Sequence, residues 1–534
     1  MKENLLTTVL ILICCFFNNC NAWAQSITNQ EIDSIVLNTI TAFNVPGAAV
    51  SVIKDGKIIH NKGYGLRAMT GSKLVDENTL FAIASNSKAF TTAALGILVD
   101  EKKLSFNDKV TKFIPEFKMY DRFVTEEFTI YDLITHRSGL GLGAGDLMIF
   151  PSNKSFTKED IIHNLKYLKP TSSFRSKYDY DNLLYIVAGE VIERVSGISW
   201  EEFVEQKIFK PLEMKASAAS YERLKDTTNI AVPHIPTDGK LKIIGRFNSN
   251  ITNAAGGIYT NTKELSYWVM ALLNSGTYNG RRLFSPQISK EIWTPQTLQS
   301  PAPMPYFRSN FKAYGLGWEI EDINGYRQIS HTGGLPGMVS QVLMIPEIGL
   351  GIVILTNQQS GLAFMSISDN LKDYFLKSGT HDRIKMYSDF ERLSVQGANK
   401  KLEDVDKIIS QSQLKSTIDI KGTYTDPWFG KVTLSDEKGN YLFESHRSPA
   451  LKGKMYFYKA NTFVVKWDDR SMNADAFVMF NLDENGETKT FSMKAISPTT
   501  DFSFDFQDLS FVKDKVRLNK SIDKNMHEQE IKQK

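Results

Sequence analysis

The sequence predicts an α+β domain, in which an antiparallel sheet packs against helices, followed by a small all-β domain of the barrel type. Strand-forming runs lie at both ends of the first 380 residues, and helical patterns occupy the region between them. From Ile418 to about Val512 the pattern changes to short aromatic and β-branched runs separated by turn signals. The chain therefore divides into a large mixed domain and a smaller β domain.

Apolar periodicity predicts the elements of the first domain, residues 25–380. Asp55-Gly56 separates two strand-forming runs and indicates a hairpin, because both residue types tolerate the positive φ of a tight turn. The last strands of the domain are expected to join the first ones in one sheet. The predicted helices cover 27–43, 87–100, 183–195 and 263–274, and the predicted strands cover 48–53, 58–64, 341–346 and 351–356.

The N-terminus has the pattern of a secretory signal peptide, residues 1–24. An apolar stretch from Leu5 to Phe17 is followed by the small-x-small site Ala22-Trp23-Ala24. Export to a periplasm or out of the cell is expected, with a retained N-terminal anchor or a lipid on Cys20 as alternatives. The chain's 3 cysteines all precede the expected cut, which excludes disulfides, thiol catalysis and cysteine-bound zinc in the mature protein.

Three segments follow the first domain. Residues 381–415 are charged and are predicted to be a connecting linker with helical character, and residues 416–515 form the β domain. Residues 516–534 are predicted to be a solvated charged tail.

The amino-acid composition restricts the classes of molecule that the protein is expected to bind. The 63 Lys and Arg residues nearly balance 60 Asp and Glu, and a net charge of +3 gives no reason to expect nucleic acid. No segment is long and apolar enough for a stable membrane span. A small molecule or a peptide remains as the substrate class, and the oligomeric state is left open.

The first candidate motif is Ser85-x-x-Lys88 at the start of the predicted helix 87–100. A spacing of three places both side chains on one helix face. A serine hydroxyl needs a base to take its proton, and a lysine in apolar surroundings can become that base when burial lowers its pKa. The alternative is a helix cap with a surface lysine.

The second candidate motif is Tyr180-x-Asn182, directly before the predicted helix 183–195. A tyrosine beside a cation can act as an acid or a base, and an asparagine amide can hold a substrate carbonyl and orient the lysine. The alternative is an aromatic residue followed by an Asx cap. The third motif, His331-Thr332-Gly333-Gly334, is predicted to be a strand end that enters a glycine turn.

In this order the three motifs resemble those of the serine beta-lactamase and penicillin-binding-protein superfamily, in particular its class C-like branch with Tyr-x-Asn. The resemblance spans about 27–377 and implies a beta-lactamase/transpeptidase-like fold for the first domain. The β domain resembles the small lipocalin-like domain often found behind hydrolases of this branch. Further matches are Thr135-His136-Arg137-Ser138-Gly139-Leu140, Ala254-Ala255-Gly256-Gly257 and Tyr314-Gly315-Leu316-Gly317-Trp318.

The resemblance implies roles for the motif residues. Ser85 is expected to be the acylated nucleophile, with Lys88 and Tyr180 sharing its proton transfers. Asn182 is expected to orient the acyl amide. His136 is predicted to be a structural histidine that bonds loop backbone.

The third motif departs from the pattern of class C beta-lactamases. His331 stands where those enzymes commonly have lysine, and a mostly neutral imidazole attracts a substrate carboxylate poorly. The resemblance implies an oxyanion hole from the N–H groups of Ser85 and Gly334, with Thr332 and Gly333 beside the substrate. Histidine here is similar to the esterase and D-aminopeptidase members of the branch.

The sequence as a whole predicts an exported serine hydrolase that cleaves an ester or amide through an acyl-enzyme, without a metal or cofactor. Two alternatives remain: a D,D-peptidase, D-aminopeptidase or transpeptidase acting on peptidoglycan-type peptides, and a non-catalytic binding protein similar to penicillin sensors. A further hypothesis is that the β domain narrows access to Ser85. No close metal-ligand spacing is seen among His60, His163, His234, His381, His446 and His527.

Overall fold

The computed structural model describes residues 27–151, 155–301, 306–411, 418–437 and 439–515. The predicted signal peptide, residues 1–24, and the predicted charged tail, residues 516–534, lie outside the described residues. The described residues form a mixed α and β domain, a long helix and a closed β-barrel.

An antiparallel sheet forms the centre of the first domain. The strands of this domain are β1 Gly47–Lys54, β2 Lys57–Gly65, β3 Phe81–Ala82, β4 His234–Thr237, β5 Lys240–Ile243, β6 Tyr259–Thr260, β7 Thr277–Tyr278, β8 Arg281–Arg282, β9 Thr297–Gln299, β10 Lys312–Tyr314, β11 Glu319–Ile323, β12 Tyr326–Leu335, β13 Met338–Ile345 and β14 Leu350–Thr356. Among the described residues the central sheet has 8 strands in the order β2-β1-β14-β13-β12-β11-β10-β9. The remaining strands form the short ribbons β3-β6, β4-β5 and β7-β8.

The two ends of the domain meet in this sheet, as the sequence predicts. Strand β1 lies between β2 and β14, with Val50 opposite Ile354. The predicted hairpin turn is also confirmed, because Asp55 and Gly56 have φ of 50° and 73°. The pairing of the first and last strands fixes the helical region between them against one sheet.

Helices cover both faces of the sheet. Within the described residues they are α1 Asn29–Ala42, α2 Ser87–Asp100, α3 Arg122–Glu127, α4 Ile130–Ile134, α5 Lys158–Asn164, α6 Leu183–Ser196, α7 Trp200–Val204, α8 Asn253–Gly256, α9 Thr262–Leu273, α10 Pro286–Ile292, α11 Gly361–Leu376 and α12 Arg383–Gln411. Alternate residues of β1 enter two cores: Ala49 and Ile53 pack in the core that contains α2, α6 and α9, whereas Val50 and Val52 pack with α1 and α11. Period-two alternation thus places β1 between two helical layers.

Helix α2 is buried along nearly its whole length, as its apolar sequence predicts. Every residue from Ser87 to Leu98 is buried, so the helix has no water-facing side except at its C-terminal end. Phe90 stacks on Trp268 of α9 with ring centroids 4.5 Å apart. The polar side chains of this helix must therefore find their hydrogen-bond partners inside the protein.

Helix α12 occupies most of the segment predicted to be a linker. Its first residue, Arg383, is fully buried and donates two hydrogen bonds of 2.7 Å to the Asp373 carboxylate of α11. Towards its other end, Val405 packs against Val464 and Ile496 of the barrel. The helix is therefore packed against both domains.

The C-terminal domain is a closed, up-and-down barrel in which each strand pairs with its neighbours in sequence. Its strands are β15 Gly422–Asp426, β16 Gly430–Glu437, β17 Asn440–Ser445, β18 Lys452–Lys459, β19 Thr462–Trp467, β20 Ala476–Leu482, β21 Thr488–Ala495 and β22 Phe511–Lys513. Phe443, Phe463 and Trp467 are buried in its interior, as expected from their alternation. Among the described helices, none combines the length and apolar character needed to cross a bilayer.

We expect Arg383→Ala to lower the free energy of unfolding by about 3–5 kcal/mol, because it leaves the Asp373 carboxylate buried without its guanidinium partner. Arg392→Ala is the matched control on the same helix, since the Arg392 side chain is 57% exposed and pairs only at the surface with Asp389. Urea denaturation followed by circular dichroism measures both. Equal losses of stability in the two variants would contradict this role for Arg383.

Candidate active site

Ser85 lies in a short 3₁₀ turn, Ala84–Asn86, directly before α2 rather than inside it. The residue before it, Ala84, has φ of 50°, a left-handed conformation that costs free energy for a residue with a Cβ. The turn is held against the sheet, where the Ser340 hydroxyl donates to the Ile83 carbonyl at 2.7 Å. The surrounding structure therefore fixes a strained turn that presents the Ser85 hydroxyl to a cavity.

Lys88 is fully buried and its amine lies beside Ser85. The Nζ atom is 3.1 Å from Ser85 Oγ, 2.7 Å from Asn182 Oδ1 and 3.0 Å from the Ala255 carbonyl oxygen. The sequence motif thus forms the contact that its spacing predicts. The alternative of a surface lysine is wrong.

Burial lowers the pKa of Lys88 to about 7, although nearby Asp146 and Asp181 act in the opposite direction. A neutral amine has two N–H groups and one lone pair. The amide oxygen of Asn182 and the carbonyl of Ala255 can only accept hydrogen bonds, so they take the two N–H groups. The lone pair then faces the hydroxyl of Ser85, which is the arrangement of a general base.

The Asn182 side chain is available to bind Lys88, because the neighbouring residue, Asp181, caps helix α6. The Asp181 carboxylate accepts from the N–H groups of Leu183 and Leu184, whereas Asn182 makes no side-chain cap bond. Instead, Asn182 Nδ2 donates to Asp146 Oδ2 at 2.7 Å. This bond orients the amide so that its oxygen points at the lysine.

Tyr180 packs over the lysine amine. Its ring centroid is 4.8 Å from Lys88 Nζ and 4.3 Å from the ring of His136. Burial raises the pKa of Tyr180 well above its ordinary value, and a hydrogen bond with Ser85 acts in the opposite direction. The phenol is therefore protonated at neutral pH, which suits a proton donor better than a base.

His136 has the structural role that the sequence predicts. Its Nδ1 accepts a hydrogen bond of 3.1 Å from the backbone N–H of Asp181, and its carbonyl accepts from the N–H of Asp179. Burial lowers the pKa of His136 well below its ordinary value. The neutral ring fixes the loop that carries Tyr180.

His331 is a neutral residue in this site. Its Nδ1 is 2.6 Å from the Thr332 carbonyl oxygen, so Nδ1 carries the proton, and Nε2 accepts from the Tyr314 hydroxyl at 3.0 Å. Burial, with a smaller effect of Lys88, lowers the pKa of His331 to about 3. The ring therefore provides no cation for a substrate carboxylate.

The glycine turn predicted after His331 is wrong, because Gly333 and Gly334 lie within β12, which continues to Leu335. Strand β11 stops pairing with β12 at Ser330, so the following residues of β12 have a free edge on that side. Thr332 and Gly334 are exposed and line the cavity with Ser85. Strand backbone, rather than a turn, thus brings Thr332 and Gly334 to the cavity.

Gly333 faces the opposite way and is needed for close packing. A Cβ on Gly333 would lie 2.1 Å from the Ile83 carbonyl oxygen and 3.0 Å from the Ser85 backbone nitrogen. A Cβ on Gly334 would meet nothing within 4 Å. The two adjacent glycines therefore have different roles: one admits the Ser85 turn, and the other lines the cavity.

The cavity above Ser85 has a volume of about 590 Å³ and is mainly apolar. Both domains supply its walls, which include Leu142, Phe150, Phe247 and Leu335 from the first domain and Met472 and Phe502 from the barrel. The carboxylates of Glu319, Asp469 and Asp501 also line it, against one guanidinium, that of Arg246. The barrel is therefore part of the surface that a substrate would meet.

Sequence reasoning missed Asp146, Phe502 and Ser503. Asp146 follows a glycine-rich run, residues 139–145, but nothing in that run marks the carboxylate as a partner of Asn182. Among the described residues, no group of three or more His, Cys, Asp and Glu side chains is arranged to hold a metal ion.

Two family models match the chain. The model described as Beta-lactamase matches residues 33–371, and the model described as Domain of unknown function (DUF3471) matches residues 414–513. The first match contains all three sequence motifs, and the second covers the barrel.

Individual proteins are similar to the chain over different lengths. Unguisins hydrolase ungD' of Aspergillus campestris is 26% identical over 459 residues, which cover 80% of this chain and 82% of that protein. Protein flp of Staphylococcus aureus is 26% identical over 336 residues, which cover 62% of this chain and 64% of that protein, a little under two thirds of its length. The octameric penicillin-binding protein homologue from Pyrococcus abyssi has a similar fold, with a TM-score of 0.59, 19% identity, and coverage of 91% of this chain and 100% of that chain.

We expect Gly333→Ala to abolish hydrolytic activity and lower the melting temperature, because its Cβ would displace the backbone that carries Ser85. Gly334→Ala is the matched control for stability, since its Cβ points into open space. Its melting temperature should stay close to that of the unmodified protein. Thermal denaturation and hydrolysis of a chromogenic ester measure the effects, and a fully active Gly333→Ala variant would contradict the packing argument.

Proposed function

The chain belongs to the Beta-lactamase family, and from this membership we propose that it is a serine hydrolase that cleaves an ester or amide through an acyl-enzyme on Ser85. The observation that best supports this proposal is the position of the Lys88 amine, which is buried and lies 3.1 Å from Ser85 Oγ. With its pKa lowered to about 7, this amine is about half neutral at pH 7 and largely neutral at higher pH. A serine hydroxyl with such a base is an activated nucleophile.

The proposed reaction has two stages. Ser85 Oγ attacks the carbonyl carbon while Lys88 Nζ takes the hydroxyl proton, and the resulting oxyanion lies at the N–H groups of Ser85 and Gly334. The ester or amide bond then breaks, and the leaving group takes the proton of the Lys88 ammonium, either directly or through the Tyr180 phenol, which the ammonium then reprotonates. Water then gives a proton to the neutral Lys88 amine as its oxygen attacks the acyl carbon. The bond between that carbon and Ser85 Oγ breaks, and the Lys88 ammonium returns the proton to Ser85 Oγ.

The lining of the cavity favours a substrate with an apolar acyl or leaving group and no free carboxylate. His331 is neutral, and three carboxylates outnumber the single Arg246. Arg246 is also engaged, since it donates to the Ala231 carbonyl and lies over the ring of Tyr221. A penicillin, which carries a carboxylate, should therefore acylate Ser85 poorly compared with a neutral ester.

The place of action is proposed from the sequence alone. The signal-peptide pattern of residues 1–24 supports export, with the mature chain beginning at Gln25. The intact mass of the protein recovered from its native host reports this cut directly.

We expect a fluorophosphonate to add one equivalent to Ser85, because the reagent needs only an activated hydroxyl. Ser85→Ala should remove the adduct and reduce ester hydrolysis by about a thousandfold or more, with little change in the melting curve. Ser471→Ala is the matched control. Ser471 lines the same cavity, but it is not among the described hydrogen-bond partners of Lys88. Intact-mass spectrometry with peptide mapping measures the adduct, and labelling that persists in Ser85→Ala would refute the proposed nucleophile.

We expect kcat/KM for a neutral ester to rise with pH through an inflection near pH 7. Lys88 must be neutral to accept the proton, and its neutral fraction grows as the pH passes its pKa of about 7. His331 stays neutral across this range, so it adds no second inflection. Initial rates between pH 5 and 9, corrected for spontaneous hydrolysis, test this profile, and a rate that falls between pH 6 and 8 would rule out Lys88 as the base.

A further inference from the structure

One loop of the barrel, residues 501–506, reaches into the first domain beside the catalytic motifs. The Asp505 carboxylate accepts from the backbone N–H groups of Gly145 and Leu147 at 2.6 and 3.0 Å. These two groups flank Asp146, the residue that orients Asn182. Asp505 is fully buried, so these hydrogen bonds anchor the loop inside the interface between the domains.

A side chain of the same loop contacts Asp146 directly. The Ser503 hydroxyl donates to Asp146 Oδ2 at 2.9 Å, and the same oxygen accepts from Asn182 Nδ2 at 2.7 Å. Asn182 Oδ1 in turn accepts from Lys88 Nζ at 2.7 Å. An unbroken series of hydrogen bonds thus connects the barrel to the amine beside Ser85.

The side chains in this series of hydrogen bonds have little freedom to move, because all of them are buried. Ser503 is 6% exposed and Asp146 is fully buried. The second oxygen of Asp146, Oδ1, has no hydrogen-bond partner among the described residues. The two donors on Oδ2 therefore set the rotation of the carboxylate, and losing one of them frees it to turn away from Asn182.

The neighbouring residue packs against the second motif. The Phe502 ring meets the ring of Tyr180 edge to face, with centroids 5.7 Å apart. Gly143 makes this approach possible, since a Cβ there would lie 2.7 Å from the Phe502 carbonyl oxygen. The loop therefore contacts the residues around Lys88 at two independent points.

We propose that Ser503, supplied by the barrel, is a positioning residue of the hydrolase site, and that it acts on Lys88 through Asp146 and Asn182. This inference rests on the proposed function, because the proton transfer between Ser85 and Lys88 is what the positioning serves. Ser503 does not touch the reacting atoms. It makes the barrel a structural part of the catalytic machinery.

The test compares Ser503→Ala with Ser510→Ala in the full chain. Ser510 is an exposed serine of the same domain, so its replacement controls for the loss of a hydroxyl. For Ser503→Ala we expect kcat for a neutral ester and the rate of fluorophosphonate labelling to fall about 10- to 100-fold, as for a small misplacement of a catalytic group. The KM should change by less than about twofold, because ground-state binding does not use this contact.

A double-mutant comparison tests the route from Ser503 to Lys88. Asp146→Ala alone should slow labelling, and adding Ser503→Ala to it should have no further effect, because the series is already broken. Independent, multiplicative losses would show that Ser503 acts by another route and would overturn the proposal.

Control outcomes separate this proposal from the proposed function. If the unmodified protein is not labelled at Ser85, the proposed function fails. If it is labelled and Ser503→Ala is labelled equally fast, only the positioning role fails. Should Ser503→Ala not fold, as judged by its melting curve, Ser503→Cys keeps the packing with a weaker donor, and labelling at the unmodified rate by that variant would overturn the role of Ser503.

Discussion

A lysine amine without contact with water, fixed beside a serine hydroxyl, is the constraint on which the rest of the site depends. Burial of Lys88 disfavours its charged form, which brings its pKa to about 7. The amine then needs acceptors for its N–H groups, and Asn182 and Ala255 provide them. Each acceptor is itself held: Asn182 by Asp146, and the backbone beside Ala255 by the Thr91 hydroxyl, which donates to the Ala254 carbonyl at 2.6 Å.

The central sheet supports the other part of the site, the turn that carries Ser85. The pairing of β1 with β14 closes the domain, and β12 and β13 then form the platform on which the Ser85 turn rests. Ser340 bonds this turn, and Gly333 leaves the space that it occupies. The left-handed Ala84 persists because these contacts are made at the same time, which is how a folded protein maintains a strained backbone at a reactive residue.

The barrel is connected to the first domain by two separate sets of contacts. Helix α12 joins the two through a buried ion pair at one end and an apolar contact with the barrel at the other. The loop 501–506 makes a separate contact, with Phe502 in the cavity wall and Ser503 and Asp505 around Asp146. A domain attached in this manner shapes the substrate cavity and the surroundings of the lysine together. In the proposed mechanism, substrate selection and the orientation of the Lys88 amine therefore share one interface.

The sequence by itself determined the elements that carry a local pattern. The hairpin at Asp55-Gly56, the apolar helix α2 and the aromatic alternation of the barrel follow from residue periodicity, and the motif spacing placed Ser85 beside Lys88. Tertiary structure decided the rest. Strand pairing, rather than the preference of glycine for turns, kept Gly333 and Gly334 in β12. The partnership of Ser503 with Asp146 joins residues 357 positions apart. Such a contact forms only when surfaces far apart in the sequence meet in the folded protein, so no periodic pattern in the chain predicts it.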